Sequence, residues 1–154
     1  MILSWFGCGM SPWAPGTVGS LGSLPLGLLI YWSFGQIALA VCAALLFVAG
    51  WRIADAQLRH DGGALEDPQW IVVDEVVGQW IALAALPLHP VSVLVAFALF
   101  RLFDIAKPWP VSWADRRLGG GLGIMLDDLL AGLYAALGGF GALHGFRAIW
   151  TRLQ

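Results

Sequence analysis

The sequence predicts an all-α fold: a compact bundle of about five short helices set in a membrane, with its charged loops on one face. Three observations lead there. Apolar residues make up 59% of the chain and charged residues 12%, where a soluble domain has about 45–50% and about 25%. Nine Trp and eight Phe suit aromatic belts at two lipid–water interfaces. Twenty Gly suit helices packed in lipid, where small residues let backbones approach. The 154 residues read as a single domain over 1–154. An unusually apolar soluble bundle is the other architecture this composition allows.

Composition also excludes functions. A net charge of −2 leaves no basic footprint for nucleic acid. Cys8 and Cys42 have neither metal-ligand nor disulfide spacing. The N-terminus lacks the basic region and long apolar core of a cleavable signal, and Ser11-Pro12 interrupts it.

Taken in order, residues 7–23 (G-C-G-M-S-P-W-A-P-G-T-V-G-S-L-G-S) read as an irregular Gly/Pro loop. Thr17 and Ser20 are placed to cap a helix over about 18–33. Backbone N–H groups of such a loop can cradle an anion at a helix start, although most Gly/Pro loops are plain turns. Ser33-Phe34-Gly35 breaks the helix, and a second apolar helix covers about 36–53. Charge then arrives with Arg52, Asp55, Arg59, His60, Asp61, Glu66 and Asp67. A single His beside Arg and Asp reads more readily as a solvated group than as a ligand.

Asp74 and Glu75 stand where this polar loop enters apolar sequence. Acids in a first helical turn complement the helix dipole, yet two adjacent carboxylates at an apolar boundary are costly without a cation. On a helix Gly78 and Gln79 stack beside Glu75, with Gly78 leaving space next to the carboxylate. Pro87 and Pro90 decide the topology. A single kinked span would put Asp74-Glu75 and Arg101 on opposite sides. A hairpin tip gives two helices of about 15 residues, each about 22 Å long against an apolar core of about 30 Å. Charge favours the hairpin. It gathers all ten acids with Arg52, Arg59, Arg101, Lys107, Arg116 and Arg117 on one side, leaving Arg147 and Arg152 opposite. By the positive-inside tendency the charged side is cytoplasmic. A last helix is expected over 129–146, with Gly132, Gly138, Gly139 and Gly141 as packing points.

The stretch from Arg101 to Asp128 holds four of the eight basic residues and four of the ten acids. Ionisable groups beside membrane-length segments are functional candidates. Arg101, Asp104 and Lys107 share a helix side at i, i+3, i+6, and a plain Arg101–Asp104 ion pair is the simpler account of the first two. Gly119–Gly123 reads as a flexible turn from which Asp127-Asp128 open the last helix. Carboxylates without Cys or paired His suit a hard cation, Mg²⁺ before Ca²⁺ or Mn²⁺. The expected metal ligands are Glu75, Asp104, Asp127 and Asp128, with Asp74 joining them as the catalytic acids. Arg101 and Lys107, with Thr17 and Ser20 of the Gly/Pro loop, are the expected phosphate binders. A metal-activated water attacking phosphorus, with a carboxylate as base, is the chemistry such a set performs. An Asp-x-Asp-x-Thr nucleophile, a Cys followed after five residues by Arg, and a Walker loop are all missing.

Four ordered motifs carry a resemblance: S-P-x-x-P-G-T-x-G-S (11–20), I-V-x-D-E-x-V-G-x-W-I (71–81), F-R-x-F-D-I-x-K-P-W-P (100–110) and G-G-x-G-I-M-x-D-D-x-x-A-G (120–132). In this order they resemble the phosphatidylglycerophosphatase A family over nearly the whole chain. The resemblance implies a bacterial, inner-membrane, multi-pass, Mg²⁺-dependent enzyme. Its reaction removes the terminal phosphate of phosphatidylglycerophosphate to give phosphatidylglycerol. It implies a phospholipid substrate, with no nucleic acid and no known protein partner. By motif position the active residues are Asp74, Glu75, Arg101, Asp104, Lys107, Asp127 and Asp128, while His60 and Asp61 inherit no role. The rival is a non-catalytic membrane protein that binds or transports a cation with the same acids. Transporters hold such charges near the midplane on broken helices, whereas these lie at helix ends and in loops.

Overall fold

In the computed structural model, residues 1–60 and 69–150 are described, with side chains followed to Leu143. Among the described residues the chain is all-helical. After a single 3₁₀ turn at Cys8–Met10 come α1 (Pro15–His60), α2 (Val73–Ala84), α3 (Pro90–Ala106), α4 (Val111–Arg117) and α5 (Gly120–Trp150).

Helix α1 is two limbs. Gly35, at φ 84° and ψ 176°, interrupts the helical backbone, a left-handed conformation that glycine adopts at little cost. The first limb, residues 15–34, runs alongside α2. Gly16 abuts Glu75, Gly27 abuts Trp80, and the Tyr31 hydroxyl donates to Leu86 O at 2.7 Å. The second limb returns. Gly50 packs on Val73 and Met125, and Asp55 reaches Gly121. Both ends of α1 therefore lie near the start of α2. The break expected at Ser33–Gly35 is where the chain reverses.

The expected Gly/Pro loop over 7–23 is helical from Pro15 onward. Proline suits a first helical position, and Thr17 and Ser20 lie inside the helix rather than capping it. Ser20 Oγ donates back to Gly16 O at 2.8 Å. The glycines serve close approach: a Cβ on Gly19 would stand 2.8 Å from Val72 Cβ. That packing outweighs glycine's poor helix propensity.

Between Ala84 and Pro90 the chain turns, with His89 capping α3 through Nδ1, which accepts from Val91 N–H at 3.2 Å. Helices of 12 and 17 residues meet at this tip, so α2 and α3 form a hairpin. Lys107 ends α3 in the left-handed region (φ 43°), its N–H bonded to Phe103 O. Pro108 follows and cannot continue the helix.

Helix α5 starts at Gly120, nine residues earlier than expected, and the glycine run is part of it. A Cβ on Gly121 would stand 2.6 Å from both Asp55 N and Trp51 O. Gly120 and Gly121 are therefore contact points with α1 and not part of a flexible turn. Asp127 and Asp128 accordingly lie two turns inside α5, beyond the stabilising reach of its N-terminal dipole.

Three apolar clusters hold the bundle. Leu58, Val73, Val77 and Met125 join α1, α2 and α5; Leu39, Val76, Trp80 and Leu83 join α1 to α2; Ala96, Phe100, Val111 and Ala135 join α3, α4 and α5. The N-terminal segment locks on, since Leu3 O accepts from both Val72 N–H and Val73 N–H. Trp80 Nε1 donates to Ser23 O at 3.0 Å.

Helices α1 and α5, the latter over Gly120–Leu143, are long and apolar enough to cross a membrane. The first limb of α1, about 20 residues, is about 30 Å long, the thickness of a hydrocarbon core. Leu21, Leu29, Ile37, Val41, Leu45 and Val48 point outward from α1. Exposed Trp32 and Phe34 mark one end of the bundle, and Trp13, Trp109 and Trp113 the other. Such a distribution is compatible with two interfacial belts.

Candidate active site

Helix α2 begins with Val73-Asp74-Glu75 against the N-terminus of α1. A Cβ on Gly16 would run into Glu75 Oε1 and stand 3.2 Å from Arg101 Nη1, so a side chain here would displace the tips of both residues. One turn further along, Gly78 meets Gly132 of α5: a Cβ on Gly78 would stand 2.5 Å from Asp128 O. This glycine crossing, and not open space beside Glu75, is what Gly78 provides. It brings Asp128 up to the start of α2.

Asp74, Glu75 and Asp128 each offer a carboxylate oxygen, and these three atoms lie within 4.8 Å of one another. Asp128 is 3% exposed and Asp74 8%. Asp74 Oδ1 accepts from Glu75 N–H at 3.0 Å, while Glu75 Oε2 is buried without a hydrogen-bond partner. Asp104 stands against both Glu75 and Asp128, and its Oδ2 lies 2.6 Å from Arg101 Nη1. Arg101 Nε is buried with no partner. Asp127 uses both oxygens: Oδ1 accepts from Asp128 N–H at 3.0 Å and Oδ2 from Lys107 Nζ at 2.8 Å. Lys107 also pairs with Asp115 of α4.

Electrostatics follow from this crowding. Burial, followed by the charge of Glu75, pushes the Asp74 carboxyl well above its usual value. Burial also raises Glu75, against the hydrogen bond from Asp74. At Lys107 burial works to lower the pKa, but the hydrogen bonds to Asp115 and Asp127 outweigh it and the net shift is upward. Five carboxylates (Asp74, Glu75, Asp104, Asp127, Asp128) face two cations, Arg101 and Lys107. Buried negative charge in such excess is relieved either by protonation, as the raised Asp74 and Glu75 show, or by another positive partner. The Asp74–Glu75–Asp128 group, with an orphaned Glu75 oxygen, fits a small oxygen-binding cation.

The structure thus brings Asp74, Glu75, Arg101, Asp104, Lys107, Asp127 and Asp128 to one end of the bundle. Ser20 is turned inward with its hydroxyl bonded to Gly16 O, and Thr17 lies half-buried in the same stretch. Asp61 falls outside the described residues, as do the side chains of Arg147 and Arg152 that were expected on the opposite side. Three contributors escaped sequence reasoning. Gly16 was read as loop. Asp115 has no pattern tying it to Lys107. Asp55 Oδ1 accepts from Gly121 N–H at 2.6 Å across 66 positions, a cap on α5 that no local motif announces.

Acids and bases gathered at one end of an all-helical bundle fit the site of a hydrolase. Comparison with known proteins gives the particular family. The model for Phosphatidylglycerophosphatase A matches residues 1–143, and the chain belongs to that family of phosphoric monoester hydrolases. It is similar to the phosphatidylglycerophosphatase A of Escherichia coli (39% identical, covering 85% of this chain and 75% of the relative). The Haemophilus influenzae protein of the same name is 42% identical over 86% of this chain and 80% of its own. A Bacteroides thetaiotaomicron protein, provisionally named phosphatidylinositol-3-phosphatase, is 42% identical over 88% and 87%. No solved structure matches the chain.

Proposed function

We propose that this enzyme hydrolyses the terminal phosphomonoester of phosphatidylglycerophosphate, giving phosphatidylglycerol and phosphate, with Mg²⁺ held by Asp74, Glu75 and Asp128. The observation that carries the reading is the buried three-carboxylate group beside Arg101 and Lys107. The names of the Escherichia coli and Haemophilus influenzae relatives support the substrate. Bound there, Mg²⁺ supplies positive charge that polarises the phosphoryl group and acidifies water.

The chain's own residues do the rest. Arg101 Nε, a buried donor without a protein partner, is open to a phosphoryl oxygen. Lys107, held between Asp115 and Asp127, presents a second cation. Its left-handed backbone at the end of α3 costs energy, which suits a side chain aimed by the site. Water forms the new bond to phosphorus as the bond to the glycerol oxygen breaks. The water's proton passes to a carboxylate oxygen of the cluster, which returns it to the departing glycerol oxygen. Asp104 and Asp127 hold Arg101 and Lys107 in place. In this reading α1 and α5 cross the bacterial inner membrane, the site faces the cytoplasm, and the lipid substrate arrives from the bilayer at the same interface.

The Bacteroides relative's name favours a second reading, the same hydrolysis on a phosphorylated inositol headgroup. One experiment tests both. Phosphate release by purified protein is measured on phosphatidylglycerophosphate and on phosphatidylinositol 3-phosphate, with Mg²⁺ and with excess chelator. Expected is release from the first lipid, dependent on Mg²⁺ and abolished by Glu75→Gln and Asp127→Asn. Full activity in chelator overturns the metal assignment, and preference for the inositol lipid overturns the substrate.

A further inference from the structure

Gln79 is completely buried, and neither its Nε2 nor its Oε1 has a hydrogen-bond partner. Its neighbours on α2, Val76, Val77, Trp80 and Leu83, are apolar core. An amide in such a place destabilises the fold unless something meets it, and an apolar side chain of the same shape would relieve that cost. One turn back on the same helix stands Glu75, whose Oε2 is also buried and without a partner. Positions i and i+4 lie side by side on a helix face. The two orphans are complementary: a carboxylate oxygen only accepts, and the amide Nε2 only donates.

We propose that Gln79 is a positioning residue for the carboxylate site, its Nε2 donating to Glu75 Oε2 when Glu75 turns its other oxygen to a divalent cation. The inference rests on the metal reading above and adds a residue to it. Partners that hydrogen-bond a ligating carboxylate fix its orientation and raise its hold on the metal, by about 10–100-fold in affinity where measured. Gln79 shares the helix of Glu75 at i+4, whereas Arg101, whose Nε is also without a partner, approaches from α3 and carries a charge suited to phosphate.

The test uses the whole protein in detergent, with Mn²⁺ as probe. Mn²⁺ binding is followed by electron paramagnetic resonance on native protein, Gln79→Met and Gln79→Leu, with thermal unfolding measured on each. Expected for both variants is a Mn²⁺ Kd raised about 10–100-fold, with melting temperatures equal to or above native because the unmet amide is gone. The Mn²⁺ concentration for half-maximal phosphate release should rise in step, with kcat at saturating Mn²⁺ within a few fold. Unchanged Kd in both variants overturns the proposal. So does an affinity loss confined to whichever variant is less stable. Native protein that fails to bind Mn²⁺ overturns the metal reading itself, which separates the two failures.

Discussion

Replacing Gly78 with alanine should disable the enzyme at modest cost to its stability. The added Cβ would stand 2.5 Å from Asp128 O and closer still to the Phe100 ring. Asp128 O is backbone, so a rotamer change cannot relieve the contact. Restoring the 3.4 Å of ordinary contact moves α5 from α2 by about 0.9 Å, the difference between the two distances. Overpacking of this kind costs about 1–3 kcal/mol, which a bundle with three apolar clusters survives. The site does not. Asp128 is carried on the displaced helix and Asp74-Glu75 on the fixed one, and a misplacement of about 1 Å costs about 10²-fold in rate. Gly141→Ala is the control, because nothing lies within 4 Å of its Cβ position. It should raise stability by up to about 1 kcal/mol, through helix propensity, and leave activity alone. The assay is Mg²⁺-dependent phosphate release beside thermal unfolding in the same detergent. Gly78→Ala with activity within threefold of native would falsify the claim that this crossing sets the site.

Other outcomes follow from the same geometry. Asp55→Ala removes the acceptor of Gly121 N–H and should lower stability by about 1 kcal/mol, as losing a helix cap does, with phosphate release at saturating Mg²⁺ little changed. Lys107→Met leaves Asp127 and Asp115 without their shared cation; kcat/KM should fall by at least about tenfold, about 1.4 kcal/mol of transition-state stabilisation. In cation-free detergent, stability should rise as pH falls from neutral toward the ordinary carboxylate range. Burial raises Asp74 and Glu75, so in that window the native state binds more protons than the unfolded one. Mg²⁺ should flatten this slope, and a melting temperature that falls on mild acidification contradicts the account. Cysteines at Ser112 and Gln69 should label from the same side of intact vesicles; labelling from opposite sides excludes the α2–α3 hairpin.

Much of the architecture is legible because it depends on local chemistry. Pro87 and Pro90 cannot continue a helix, Gly35 admits a reversal, and Lys107-Pro108 stops α3. These need only nearest-neighbour sterics. The apolar excess and the aromatic ends follow from composition alone. Clustering of charge between Arg52 and Asp128 points to one end of the bundle from sequence alone, because ionised groups and lipid do not mix.

What the tertiary structure alone decided is the meaning of the glycines and the partners of the acids. Gly16, Gly19 and Gly121 read locally as loop, yet they are helical and stand where α1, α2 and α5 approach closely. That approach is a property of two helices at once, invisible to a rule that reads one. For the same reason Asp127-Asp128 lie inside α5 rather than opening it, and Asp128 joins Asp74 and Glu75 while Asp127 pairs with Lys107. Adjacent residues on a helix point about 100° apart, so neighbours in sequence serve different partners. The sequence alone determined which residues are charged, where helices must stop and how apolar the helices are. Only helix packing decided which carboxylates face one another.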